Sequence, residues 1–443
     1  MGLYTALMSL VVLLGLVYFI VMVGLGVYNG RPERFTKRTR HRPHPIPAGR
    51  RYHVYCLIAC LDEEAVIGQT VRSLAVRFPR VRVIVIDDGS ADRTSEVARS
   101  ASDGQLLLAR RELPHARLGK GPALNAGFDL LLGDVRHRRI DPAAVVVCVL
   151  DADGRLSHSA LDHVLPLFDD PGVGGVQLAV RIRNRHKLIG RLQDFEFWGL
   201  SATTQLGRLS TQTVSLGGNG QFTRLSALVG IHRDPWSQSL TEDLDLGITL
   251  AVRGWALTTT PHAWVEQEGL ESWRRLVRQR TRWSQGHMTA GARLPEIWRS
   301  RKLRPVAMLE LTMYMFIPWG LGLSWSICFH LSLATMVWPV GHGSGQIPTS
   351  EDPAWSALSL VMWYLVTFFP NIIAGYIYFR RNRDYGWVRS FALGHLLPLY
   401  NYISYLSAWR AVGRILRGRT NWDKTPRVGD RTPTSPTSPT PPP

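Results

Sequence analysis

Cysteine is scarce in this chain: Cys56, Cys60, Cys148 and Cys328 are the four among 443 residues. Cys56 and Cys60 share a strand face by spacing. No second pair at metal-ligand spacing accompanies them, so neither a disulfide framework nor a structural zinc site is indicated. The four are expected as small buried hydrophobes in a reducing compartment. Charge is also thin, at 19% of residues, below the ~25% of an average soluble protein. Acids are the scarcer sign, with 34 Asp plus Glu against 52 Lys plus Arg and a net charge of +18. A hydrophobic content of 45% excludes a disordered chain. No Gly-x-Gly-x-x-Gly follows a strand pattern, which argues against a nicotinamide or flavin dehydrogenase.

Formal charge is absent altogether from three stretches: 2–30, 311–338 and 354–379. A bilayer-crossing helix needs ~20 apolar residues, and each of these is long enough. The first has no basic region before it and no small-residue cleavage site after it, so residues 1–30 are expected as a retained transmembrane anchor rather than a signal peptide. Residues 391–409 are shorter and contain His395, Pro398 and Asn401; a crossing and a surface segment both stay open there. Basic residues flank these stretches. Arg31, Arg34, Lys37, Arg38, Arg40 and Arg42 lie in a basic linker at 31–51, Arg299, Arg301, Lys302 and Arg304 precede the second span, and Arg380 and Arg381 follow the third. The positive-inside rule then places everything from 31 to 304 in the cytoplasm and the loop 339–353 outside. Arg410, Arg414 and Arg417 also read as cytoplasmic, which disfavours a full fourth crossing. The expectation is a multi-pass cell-membrane protein with a C-terminal membrane region at 305–417. The tail at 424–443 is mostly Pro, Thr and Ser and is expected to be disordered. Much of the positive charge thus brackets membrane, where it sets topology and meets anionic lipid, and nucleic acid is not an expected partner.

Between 52 and 293 the pattern changes to Val- and Ile-rich runs at 54–61, 81–86, 145–150 and 173–180, separated by helical periodicity at 66–78 and 121–132. This alternation predicts an α/β domain with an open, Rossmann-like parallel sheet and helices on both faces, whose ligands sit beyond the strands' carboxyl ends. Asp87 and Asp88 follow the second run. Asp151 and Asp153 follow the third, one residue apart and pointing the same way, a pair suited to sharing Mg²⁺ or Mn²⁺ while leaving positions for substrate phosphates. Lys120, between Gly119 and Gly121 at a helix start, suits a phosphate but lacks the P-loop spacing. Thr241, Glu242 and Asp243 precede an apolar-periodic stretch; by themselves they read first as a helix cap, with a carboxylate placed to take a proton as the other reading. The stretch 272–290 reads as a basic helix carrying Arg274, Arg275, Arg278, Arg280 and Arg282, with Trp273 and Trp283 interleaved, and is expected along the membrane surface.

Asp88, the Asp151/Asp153 pair, Asp243 and the run Gln279-Arg280-Thr281-Arg282-Trp283, in that order, resemble the signature of membrane-bound family 2 glycosyltransferases. That group includes cellulose, chitin, hyaluronan and poly-N-acetylglucosamine synthases. The resemblance covers about 54–283 and implies a GT-A fold and an inverting transfer from a nucleotide sugar, a UDP-sugar being the expected donor. It implies that Asp87, Asp88, Lys120, Asp151, Gln279 and Arg282 contact the nucleotide sugar. Asp153 with Asp151 would hold the metal, Asp243 would be the base, and Glu242 and Trp283 would meet the acceptor.

The sequence departs from that pattern twice. Leu61-Asp62-Glu63-Glu64 has Asp where relatives usually show Asn, and Ser215–Gln221 stands where processive synthases often carry Cys-Gly. The first expectation is extension of a polysaccharide at the cytoplasmic membrane face. The alternative is transfer of one or a few sugars to a lipid. Three spans are few for a private polymer channel, which favours the lipid or an export partner subunit. A haloacid-dehalogenase-like phosphatase, prompted by Asp151-Ala152-Asp153-Gly154, is a remote third reading.

Overall fold

The computed structural model of the chain describes residues 2–31, 52–102, 106–231, 234–331, 353–382 and 385–419. Most of the basic linker, residues 332–338 of the second expected span, the loop from 339 to 352 and the Pro/Thr/Ser tail lie outside the described residues. The elements that matter here are, in chain order, helix α1 (Gly2–Asn29), β1 (His53–Cys60), α2 (Ile67–Arg77), β2 (Arg82–Asp87) and β3 (Leu107–Arg110). They continue with α3 (Lys120–His137), β4 (Val145–Val149), β5 (Arg155–Leu156), β6 (Val173–Ile182), β7 (Gln221–Arg224) and α4 (Glu242–Val252). Last come β8 (Ala256–Gln267), α5 (Trp273–Ala290), α6 (Pro305–Ile317), α7 (Pro353–Arg381) and α8 (Trp387–Leu416).

One 8-stranded sheet runs in the order β3-β2-β1-β4-β7-β6-β8-β5. The four strands β3-β2-β1-β4 are parallel; β1, β2 and β4 are three of the predicted Val/Ile runs, and β3 is not among them. Every residue of β4 is buried, as is nearly all of β1, the expected burial of central strands covered on both faces. Ile67, Val71 and Leu74 of α2 and Leu124, Phe128 and Leu131 of α3 belong to the same core. Each such side chain contributes about 1.5–3 kcal/mol relative to exposure.

The sheet is not parallel throughout, which corrects the expectation. β7 lies antiparallel between β4 and β6, and β5 is antiparallel to β8. β7 carries the buried polar residues Gln221 and Thr223, so it shows no apolar run to read. β8 alternates between buried and half-buried positions and includes Pro261; it too escapes the pattern.

The helices outside the sheet are joined closely to it. α1 meets the short helix Ala202–Gly207 at backbone distance: a Cβ on Gly26 would lie 2.0 Å from the Thr203 carbonyl oxygen, and one on Gly207 would lie 2.1 Å from that of Met22. A buried ion pair, Arg208 to Glu310 of α6 at 2.7 Å, also accepts the Tyr18 hydroxyl of α1 at 2.9 Å. α5 packs along α8, where Arg414 donates to Gln285 and Ser407 to the Val277 carbonyl. Trp273, Arg274, Arg275 and Arg278 remain exposed, but the rest of α5 is half-buried or buried apart from Thr289. The helix expected to lie along a surface is therefore largely an internal one.

Among the described residues, one helical stretch, Pro305–Leu331, is long and apolar enough to cross a membrane, and Leu13–Asn29 is a shorter apolar one. The expected spans at 1–30 and 354–379 are helical, as parts of α1 and α7. Segment 391–409 is the interior of α8, a single helix of 30 residues with Pro398 inside it.

Candidate active site

The carboxyl ends of β1, β2 and β4 lie side by side, since Cys60 pairs in register with Asp87 and Leu57 with Val149. The chain leaves each strand through a polar turn. Asp62, after β1, has φ of 50° and accepts the Ala91 N–H at 2.7 Å. Asp and Asn both tolerate this left-handed backbone, so Asp in the usual Asn place keeps the turn.

Asp87 is 1% exposed, and its two oxygens accept the Ser90 N–H and the Ser95 hydroxyl. It is an internal clamp for its own turn and is absent from the cavity wall described below. Asp88 does reach that wall, paired at 2.5 Å with Arg111. Burial raises the Asp88 pKa, and the Arg111 guanidinium offsets part of the rise.

Beyond β4, Asp151 receives Lys120 Nζ at 2.5 Å. Asp153 is 2% exposed and accepts the Glu268 N–H at 2.7 Å. Lys120 opens α3 and also donates to the Gly218 carbonyl at 2.7 Å. The loop carrying Gly218 is held by Gln177, which accepts the Gly217 N–H at 2.7 Å and donates to the Asn219 carbonyl at 2.8 Å. A Cβ on Gly218 would stand 2.7 Å from Lys120 Nζ and 3.3 Å from Asp243 Oδ2. A side chain there would push the Lys120 ammonium aside.

Glu242 and Asp243 are the first two residues of α4, where the positive end of the helix favours acids. Asp243 Oδ1 accepts the Leu244 N–H at 2.7 Å. Burial, then the neighbouring Asp243 charge, pushes the Glu242 pKa up to about 7, with Lys120 opposing. Burial also raises Asp243, but Lys120, the Leu244 and Gly218 N–H groups and Arg282 pull it back. Glu242 thus holds its proton near neutrality, and the Lys120 and Arg282 charges beside Asp243 favour its carboxylate form against the effect of burial. Burial works against the Lys120 ammonium, yet Asp151 and Glu242 raise its pKa overall.

Gln279, Arg282, Trp283 and His287 fall at helical spacing on one face of α5 and reach the same cavity. Trp283 stacks on the Arg280 guanidinium at 4.5 Å, and Arg280 pairs with Glu196 at 2.7 Å. Burial lowers the His287 pKa to about 4, and its Nε2 faces the Tyr314 carbonyl at 2.9 Å.

These groups line one cavity of about 670 Å³. Of the expected site residues it brings together Asp88, Lys120, Asp151, Asp153, Glu242, Asp243, Gln279, Arg282 and Trp283, and leaves out Asp87. Sequence reasoning missed Gln177, Glu196, Asn219 and His287, which share the wall. His287 had a legible signal, lying eight residues beyond Gln279 on one helix. Gln177 had a fainter one, a polar residue inside an apolar strand. Among the described residues no group of three or more His, Cys, Asp and Glu side chains could hold a metal by itself. The Asp151/Asp153 pair offers hard oxygens in a small number, which fits a cation whose remaining positions are filled by phosphate.

An open, mixed sheet with acids beyond its parallel strands and a helix-borne Gln-x-x-Arg-Trp face defines a GT-A-like α/β glycosyltransferase fold. A mannosyltransferase from Pyrobaculum calidifontis, solved with GDP-Man and Mn²⁺, shares the fold at a TM-score of 0.51 and 16% identity, over 92% of this chain and 99% of that one. The model of glycosyltransferase like family 2 matches residues 51–286, and the chain belongs to that family. It is a glycosyltransferase, and the phosphatase reading falls. The beta-monoglucosyldiacylglycerol synthase of Trichormus variabilis is 30% identical over 321 residues, 68% of this chain and 63% of that protein. The poly-beta-1,6-N-acetyl-D-glucosamine synthase of Staphylococcus aureus is 28% identical over 236 residues, 52% and 53% of the two. The chain thus spans less than two thirds of either relative.

Proposed function

We propose that this protein transfers a sugar from a nucleotide donor, a UDP-sugar, to the hydroxyl of a lipid at the cytoplasmic face of a membrane. One observation carries the choice of acceptor. The cavity that holds Lys120, Asp151 and Asp243 is also walled by Phe19 of α1 and Ile317 of α6, the most apolar helices of the chain. A site open to such helices suits an acceptor with an apolar tail. The relative named as a glycolipid synthase supports the same acceptor class.

The chemistry is a single displacement. Asp243 takes the proton of the acceptor hydroxyl, whose oxygen forms a bond to the anomeric carbon as the bond to the diphosphate breaks. One displacement inverts that carbon. Lys120 and Arg282 face the departing diphosphate, where charge-assisted hydrogen bonds are strongest. Asp151 and Asp153 would hold Mg²⁺ or Mn²⁺, which neutralises phosphate charge when bound. Glu242, protonated near neutrality, is able to donate a hydrogen bond to the acceptor. Transfer is expected to stop in chelator and return with either cation; full activity in chelator would remove the metal assignment.

The second reading, extension of a polysaccharide with an export partner subunit, is favoured by the likeness to the Staphylococcus aureus polymer synthase. Incubating membranes that contain the protein with labelled UDP-sugars separates the two. The lipid reading predicts label in the organic extract on a small molecule, and the polymer reading predicts label in a water-soluble chain.

A further inference from the structure

Two arginines in the cavity region take no part in the chemistry above. Arg381 ends α7 and lines the cavity. Its guanidinium lies 4.3 Å from the centre of the Trp198 ring, and that of Arg181, on β6, lies 4.7 Å from the same ring. Trp198 is 6% exposed, and its indole donates to the Arg381 carbonyl at 3.4 Å. Arg181 donates to the Asn382 side chain at 3.2 Å. Among the described residues Arg381 has no carboxylate partner, and its Nε is buried without a hydrogen bond. Two acids stand near this corner. Asp194 is engaged by the Tyr378 hydroxyl at 2.7 Å, the Ile182 N–H at 2.9 Å and Arg185 at 3.4 Å, and Glu266, paired in register with Arg181, accepts the Trp264 indole N–H at 3.2 Å.

A basic residue at a helix C-terminus ordinarily meets the helix dipole or flanks an apolar segment. That accounts for a cation at the surface. It does not account for two guanidinium groups sharing one buried ring with a donor left unsatisfied, since buried charge is costly without a counter-charge. The ring face supplies part of the compensation. What is missing is an anion with acceptor oxygens, and a guanidinium matches a phosphate in shape as well as charge.

We infer that Arg381, backed by Arg181, forms an anion subsite for the phosphate of a lipid. The nucleotide diphosphate is not its ligand. Lys120 opens α3 and Asp151 follows β4, whereas Arg381 comes from a largely apolar helix and shares the wall with Phe197 and Leu200. A lipid phosphate held there leaves the tail for Phe19 and Ile317. The inference deepens the lipid-acceptor reading and rests on it for the identity of the cavity. The phosphate belongs either to the acceptor itself or to a phospholipid bound beside it.

The test uses the full chain in a non-ionic maltoside detergent with two tritiated probes of matched acyl chains, phosphatidylglycerol and diacylglycerol. The wild type is expected to retain phosphatidylglycerol roughly tenfold better, as one charge-assisted contact would give. R381Q should lose that preference while still binding nucleotide sugar, which also shows that it is folded. Equal retention of the two lipids by the wild type overturns the subsite without recourse to any variant. So does an R381Q that keeps the preference, or one that loses nucleotide sugar while lipid retention stays normal. Adding labelled donor then separates the sources. Sugar on phosphatidylglycerol assigns the phosphate to the acceptor. Sugar on diacylglycerol that increases with phosphatidylglycerol assigns it to a bound phospholipid. A lipid preference with no sugar on either lipid keeps the subsite and removes the proposed acceptor.

Discussion

At the scale of single residues the site is a balance of buried charges. Lys120 is placed among Asp151, Glu242 and Asp243, and removing any one of them leaves the others mismatched. Asp243→Asn is expected to keep nucleotide-sugar binding and to lower kcat by roughly 10²–10⁴-fold, the usual contribution of a positioned base. Isothermal titration and single-turnover assays on the same preparation check both halves. Glu242 gives a pH prediction of definite sign. Its ordinary pKa of 4.5 is raised to about 7 in the folded chain. The native state therefore holds the proton more tightly than the unfolded chain. Its burial costs nothing below about pH 4.5, and the cost grows until it is complete above about pH 7, reaching at most roughly 3 kcal/mol. Glu242→Gln should then melt higher relative to wild type at pH 8 than at pH 5. A melting-temperature difference that does not change between those pH values contradicts the placement of Glu242.

At the scale of elements, α5 supplies one wall of the cavity. One face presents Gln279, Arg282, Trp283 and His287 to the cavity, and another packs on α8. Trp283→Ala is expected to raise the acceptor KM several-fold with donor affinity little changed; an unchanged acceptor KM would count against contact. α1 and the helix Ala202–Gly207 approach so closely that Gly207→Leu must separate them, and a loss of at least about 2 kcal/mol, read from chemical unfolding, is expected from overpacking. Legibility in the sequence followed chemistry here. The parallel strands β1, β2 and β4 were readable because full burial demands unbroken Val and Ile, and the acids beyond them were readable by position. β7 was not, because its buried Gln221 and Thr223 satisfy their polarity inside the fold and resemble loop residues. Asp87 was misassigned for a related reason: adjacent acids look alike in sequence, and only the turn hydrogen bonds show which one is internal. The contact of α5 with α8 was not legible because helical amphipathicity does not name the partner of the apolar face.

At the scale of the whole molecule, three polar junctions tie the helical segment 194–210 to the outer helices: Arg208 to Glu310 and Tyr18, Asp194 to Tyr378, and Glu196 to Tyr400. The first is a buried ion pair, with side-chain exposures of 3% and 2%. Breaking it with Glu310→Ala leaves Arg208 charged and unpaired, and a loss of about 3–5 kcal/mol is expected, read as a lowered melting temperature. These junctions make the apolar helices part of the cavity wall. The central claim is that this wall selects a lipid. Its most direct measurement is extraction of the product after incubation of the full-length protein in membranes with labelled UDP-sugar, beside the Asp243→Asn variant. The account predicts label in the organic phase on a lipid carrying one or a few sugars, and its loss in the variant. Label confined to a water-soluble polymer, or lipid labelling that survives in the variant, would contradict it.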